Sequence, residues 1–132
     1  MQLTQSQEDY LETILILKTK LDTVRAIDVA AALGFSKPSV SHALKDLKSK
    51  DLIYTDDHGH LFFTENGQML AEQVYERHIY FKKQLIHAGV DPNLAEEEAC
   101  RMEHTISEES FKKLKGEKCD HSCIYCNGSK CN

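Results

Sequence analysis

The chain has 132 residues, a formal net charge of −5, and 41% hydrophobic against 28% charged residues, the make-up of an ordinary globular protein of one domain or two very small ones. No run approaches the roughly 18 to 20 apolar residues of a membrane span, and the start Met1-Gln2-Leu3-Thr4-Gln5 lacks a secretory signal's basic stretch and apolar core, so a cytoplasmic protein with no membrane partner is expected. Net acidity excludes nucleic-acid binding by bulk charge alone, and long apolar helices in so small a chain predict a seam hidden in a second copy, hence a homodimer.

In chain order, Ser6 is the expected cap of a first helix, with Tyr10, Leu11, Ile14, Leu15 and Leu17 recurring at helical spacing until about Lys20. Asp9 and Glu12 lie one turn apart on it, and by themselves are explained by the helix dipole. After a turn at Leu21 to Val24, Ile27 to Leu33 reads as a short helix stopped by Gly34. Ser36 and Pro38 then open another. That helix turns Val40, Ala43, Leu44 and Leu47 inward and leaves Ser39, Ser41, His42, Lys45 and Lys48 outside. Two short helices across a glycine turn make a helix-turn-helix, whose second helix reads base edges from its N-terminal residues. The local charge supports this, because Ser36 to Lys50 holds four lysines and one acid, Asp46. Residues 51–55 and 61–64 form β-prone runs around Asp56-Asp57-His58-Gly59-His60, and a hairpin after a helix-turn-helix is a winged helix. His58 and His60 are given no role.

Thr64 caps a long helix from Glu65 to about His87, with Leu70, Val74, Phe81 and Leu85 as its apolar stripe and His78 within that stripe. Asp91-Pro92 opens a helix expected to run to His104, and Ser107 caps a last one from Glu108 to Leu114, ending at Gly116. Cys100, Glu103 and His104 stand at i, i+3 and i+4, where side chains converge on one helical face. Carboxylate, imidazole and thiolate together suit a divalent transition metal, with the sulfur disfavouring Mg(II) and Ca(II). No catalytic grouping with an implied pocket is found, so no enzyme is expected. Four of the five cysteines, Cys119, Cys123, Cys126 and Cys131, crowd into the last fourteen positions. They have the chemistry to wrap a Zn(II) ion in a closed structural site, the alternatives being a reduced mobile tail or, further behind, an iron–sulfur cluster.

Three ordered segments, Glu8-Asp9-Tyr10-Leu11-Glu12-Thr13-Ile14, Ser36-Lys37-Pro38-Ser39-Val40-Ser41-His42 and Glu98-Ala99-Cys100-Arg101-Met102-Glu103-His104-Thr105-Ile106-Ser107, resemble the diphtheria toxin repressor and manganese transport regulator family of metal-dependent repressors. The resemblance covers residues 3 to about 115. It implies a mainly α fold with a small β-hairpin wing: a winged helix-turn-helix DNA-binding domain at 1–64, a helical metal-binding and dimerisation domain at 65–116, and a cysteine-rich tail at 117–132. The architecture resembles the shorter manganese-type members, without the SH3-like third domain of the longer ones.

The resemblance implies the metal ligands Asp9, Glu12, His78, Cys100, Glu103 and His104. Asp9 and Glu12 match the manganese-type pattern, whereas Cys100 matches the iron-type thiol and stands where manganese-type members have a bridging Glu. Lys82 stands where iron-type members have a second-site Glu, and Glu96 and Glu98 are candidates for a second ion. Ser36, Pro38, Ser39 and His42 would face DNA with Arg25 and Lys37 on phosphate, and Ser41 and Lys45 share the outward face. The implied function is repression of metal-uptake genes by a homodimer that binds double-stranded operator DNA when loaded with Fe(II) or Mn(II). The rival readings are a constitutive winged-helix binding module and a metal-storage or redox protein centred on the cysteine tail.

Overall fold

A computed structural model describes residues 3–116, which form six helices and one two-stranded sheet. The chain divides into two compact units, one ending at Glu76 and one beginning at Arg77.

In the first unit, α1 (Gln5–Lys20) is capped by Thr4, whose hydroxyl accepts from the Gln7 amide at 3.2 Å while the Gln7 side chain accepts from the Thr4 amide at 2.9 Å. The expected cap, Ser6, lies inside the helix. A reciprocal box needs the reach of Glu or Gln three residues on; Thr4 has Gln7, whereas Ser6 has only the shorter Asp9. Helix α2 (Ala26–Leu33) stops at Gly34, whose φ of 70° is left-handed, and α3 (Lys37–Ser49) is capped by Ser36 with Pro38 in its first turn. Strands β1 (Ile53–Thr55) and β2 (Leu61–Phe63) pair antiparallel, with Tyr54 opposite Phe62 and their rings stacked at 5.4 Å. The Leu61 amide donates to the Val24 carbonyl at 2.7 Å, and Lys18 donates to the Leu61 carbonyl at 2.9 Å, so the wing is tied back to the helices.

Leu11, Ile14, Val29, Val40, Leu47 and Leu52 are fully buried in one cluster. At about 1.5–3 kcal/mol for each large aliphatic side chain removed from water, this cluster holds the three helices in fixed relation, and with them the outward face of α3.

Helix α4 (Glu65–His87) begins in the first unit and continues into the second. Thr64 caps it by accepting from the Gly67 amide at 3.0 Å, and Gly67 lies so close to the wing that a Cβ there would be 1.8 Å from the Leu52 carbonyl oxygen. The second unit adds α5 (Pro92–Met102), capped by Asp91, and α6 (Glu108–Leu114), capped by Ser107. Helix α5 ends two residues before the expected His104. Glu103 is its C-cap, still right-handed helical in backbone, and His104 lies in the turn beyond. Phe81, Ala99 and Phe111 form this unit's buried cluster, with Tyr80 edge-on to Phe111 at 5.3 Å.

Candidate metal centre and DNA-binding surface

The second unit gathers four of the expected ligands. Helix α4 contributes His78, α5 contributes Cys100, and the α5 terminus contributes Glu103 and His104. Ligand atoms of Cys100, Glu103 and His104 lie within 4.8 Å of one another, as do those of His78 and Glu103. Because Glu103 keeps helical backbone angles, the i, i+3 relation between Cys100 and Glu103 survives the end of the helix.

Glu103 is the centre of this arrangement. Its residue is 0% exposed, and its carboxylate lies 2.9 Å from His78 Nδ1 and 3.2 Å from His104 Nε2. A carboxylate taken out of water costs several kcal/mol unless charge and hydrogen bonds compensate it. Two imidazoles, themselves 5% and 2% exposed in their side chains, and a half-buried reduced thiol at Cys100 surround it with nitrogen and sulfur donors. This O, N, S donor set fits a first-row divalent transition ion.

The backbone of this turn is locked from α4. Arg77, 6% exposed, donates from Nε to the Glu103 carbonyl at 2.9 Å and from Nη1 to Glu108 at 2.9 Å. Sequence reasoning missed Arg77, although its signal was present: it stands three residues after Val74, on the same stripe as His78, and a cation on an apolar face asks for a partner.

Glu96 lies on the outer edge of His78. Its carboxylate is 3.0 Å from His78 Nε2 and 2.9 Å from Lys82 Nζ. Burial opposes its ionisation, but hydrogen bonds from Lys82 and His78, with their charges, outweigh that and hold the carboxyl below its usual range. Among the described residues, neither Glu96 nor Glu98 belongs to a group of three or more metal-type donors. Asp9, half-buried, and Glu12, 8% exposed, stand one turn apart on α1 in the first unit. Cys119, Cys123, Cys126 and Cys131 lie outside the described residues.

In the first unit the expected DNA-facing side chains are exposed: Ser36, Lys37, Pro38, Ser39, Ser41, His42 and Lys45 on and before α3, and Arg25 before α2. The α3 N-terminus is well formed, with the Ser39 amide donating to the Ser36 hydroxyl at 3.3 Å. Asp46, the acid of this segment, accepts from Gln7 and pairs with Lys50 at 3.7 Å, which leaves the exposed Lys37, Lys45 and Lys48 to set the charge outside. His60, assigned no role from sequence, lies 3.2 Å from the Arg25 guanidinium through Nε2 and 2.9 Å from Asp56 through Nδ1. The wing therefore holds the arginine expected on phosphate. No local pattern announces this contact, because it joins residues 35 positions apart.

Comparison with known proteins adds to this geometry. Residues 2–61 match the model of the iron-dependent repressor N-terminal DNA-binding domain, and residues 64–117 that of the iron-dependent repressor metal-binding and dimerisation domain. The transcriptional regulator MntR of Escherichia coli O6:H1 is 38% identical over 104 residues, covering 79% of this chain and 67% of the regulator. The diphtheria toxin repressor of Corynebacterium diphtheriae is 31% identical over 113 residues, covering 85% of this chain and 50% of the repressor. The solved structure of the manganese regulator SloR superposes with a TM-score of 0.68 at 29% identity, covering 86% of this chain and 54% of that one. The chain thus spans between half and two thirds of these relatives' lengths.

Proposed function

The chain belongs to the iron-dependent repressor family, and from that premise we propose that it is a repressor of metal-uptake genes that binds operator DNA as a homodimer when loaded with Fe(II) or Mn(II). The observation that carries this reading is the buried Glu103 carboxylate between the His78 and His104 imidazoles, in the segment matched as metal-binding. Names in the family support both ions, since its models are called iron-dependent and SloR a manganese regulator.

In this reading Asp9 and Glu12 complete the ligand set of His78, Cys100, Glu103 and His104. When bound, the ion supplies positive charge among carboxylates that otherwise repel one another. Asp9 and Glu12 belong to the first unit and the other four to the second, so holding a common ion favours one placement of the DNA-binding unit and selects the arrangement that fits two half-sites. Ser36, Pro38, Ser39, Ser41 and His42 approach base edges, while Arg25, Lys37 and Lys45 meet phosphate. No helix among the described residues is long and apolar enough to cross a membrane, which accords with a cytoplasmic protein.

The test begins with selection of duplexes from a randomised pool in the presence of Mn(II). The enriched duplex is then titrated by electrophoretic mobility with Mn(II) and with chelator. Binding that requires the ion, and is lost in Glu103→Ala while the dimer persists, supports the reading. Equal binding under chelator points instead to a constitutive winged-helix module.

A further inference from the structure

His78 lies between two carboxylates, and the two edges of its ring are used differently. Nδ1 faces the fully buried Glu103, at 2.9 Å. Nε2 faces Glu96, at 3.0 Å, on a side chain that is 51% exposed. The same Glu96 oxygen, Oε2, lies 2.9 Å from Lys82 Nζ, and Lys82 follows His78 by one helical turn on α4, so both reach the carboxylate from the same helix face.

We infer that Glu96 is a positioning residue: anchored by Lys82, it accepts the Nε2 proton of His78 and so fixes the ring in the tautomer that presents Nδ1, beside Glu103, to a metal ion. This rests on the reading of His78 as a ligand. The chemistry is that of an outer carboxylate behind a ligating imidazole, which sets which nitrogen keeps its proton and raises the basicity of the other. Lys82 has a second consequence. Its ammonium compensates the Glu96 charge with a cation tethered to the chain, so this carboxylate has no need of a further divalent ion, and the role of second-ion ligand considered for Glu96 from sequence gives way to that of an orienting group.

The test compares wild type, Glu96→Ala and Glu96→Gln by three measurements: Mn(II) affinity, the nitrogen-15 imidazole spectrum of the metal-free protein, and the visible absorption bands of the Co(II)-loaded protein. Because Glu96 is half exposed, both variants are expected to fold. Glu96→Ala should weaken Mn(II) binding about 10- to 100-fold, the usual effect of removing such a partner, and move His78 from the Nε2–H form towards the Nδ1–H form, whose proton the Glu103 carboxylate 2.9 Å away accepts. Glu96→Gln keeps an accepting oxygen and should recover most of the affinity and the tautomer. The Co(II) bands should keep their positions in both, because no ligand has been removed. Displaced bands in Glu96→Ala would make Glu96 a ligand and overturn the inference. So would an affinity within about twofold of wild type, well short of the usual range. A wild-type protein that binds no Mn(II) would overturn the ligand reading of His78 and this inference with it.

Discussion

Arg77 Nε donates to the main-chain carbonyl of Glu103 at 2.9 Å in a buried setting, so the residue next to His78 on α4 fixes the turn from which the Glu103 carboxylate projects. Replacing Arg77 by Met keeps much of its volume and removes the guanidinium that donates to the Glu103 carbonyl and to Glu108. Leaving the buried Glu103 carbonyl unsatisfied costs roughly 1–3 kcal/mol. The expected outcome is a lower unfolding midpoint together with weaker Mn(II) binding, read by thermal denaturation and calorimetric titration. Wild-type Mn(II) affinity in Arg77→Met would show that the turn needs no such lock.

Cys100 places a soft thiolate among oxygen and nitrogen donors. Cys100→Glu replaces it with a hard carboxylate and should move selectivity towards Mn(II) relative to Co(II) and Zn(II). Competition between ions at equilibrium reads the ranking directly. An unchanged order would mean that the thiol packs without ligating, as a small, weakly polar side chain can.

Gly67 is the point where the start of α4 meets the wing. A Cβ 1.8 Å from the Leu52 carbonyl oxygen has to displace backbone, because no flexible side chain is there to yield. Gly67→Ala should therefore destabilise the protein by about 1–3 kcal/mol or more, despite the better helix propensity of Ala. Denaturant unfolding measures this, and a stabilised variant would contradict the close approach.

Asp56 at the wing tip has its carboxyl held below the ordinary value of 3.8, chiefly by the hydrogen bond from the His60 amide; desolvation opposes this, and the His58 amide and the His60 ring add to it. A depressed folded-state pKa contributes stability that is present above the unfolded value and lost as pH falls through the folded one. Titration of the Asp56 carboxyl carbon by nuclear magnetic resonance should give a midpoint under 3.8, and Asp56→Asn should flatten that part of the acid limb. A midpoint at or above the ordinary value would mean that the tip is open in solution.

Periodicity and caps were enough to place the helices of the described residues, because the apolar stripes of α1, α3 and α4, the Gly34 stop after α2 and the Ser36, Thr64, Asp91 and Ser107 caps are local signals. Their ends were less legible: a reciprocal Thr4–Gln7 box displaced the cap from Ser6, and α5 closed at Met102. The closeness of Cys100 and Glu103 was readable from spacing, since one helical turn dictates it, whereas His104 joins them from the turn beyond the helix. Arg77, the Lys82–Glu96 pair and the Arg25–His60 contact were not readable. Each joins residues far apart in sequence, and which long charged side chain finds which partner is decided by packing between elements.

In the proposed function metal and DNA are coupled through this centre, and coupling is reciprocal by thermodynamic necessity. The most direct measurement is therefore the Mn(II) affinity of the wild-type protein with and without the enriched duplex, beside the duplex affinity with and without Mn(II). Each ligand is expected to tighten the other by the same factor, about 5- to 150-fold for a typical allosteric coupling. Mn(II) binding that the duplex leaves unchanged, with duplex binding that Mn(II) leaves unchanged, would contradict it.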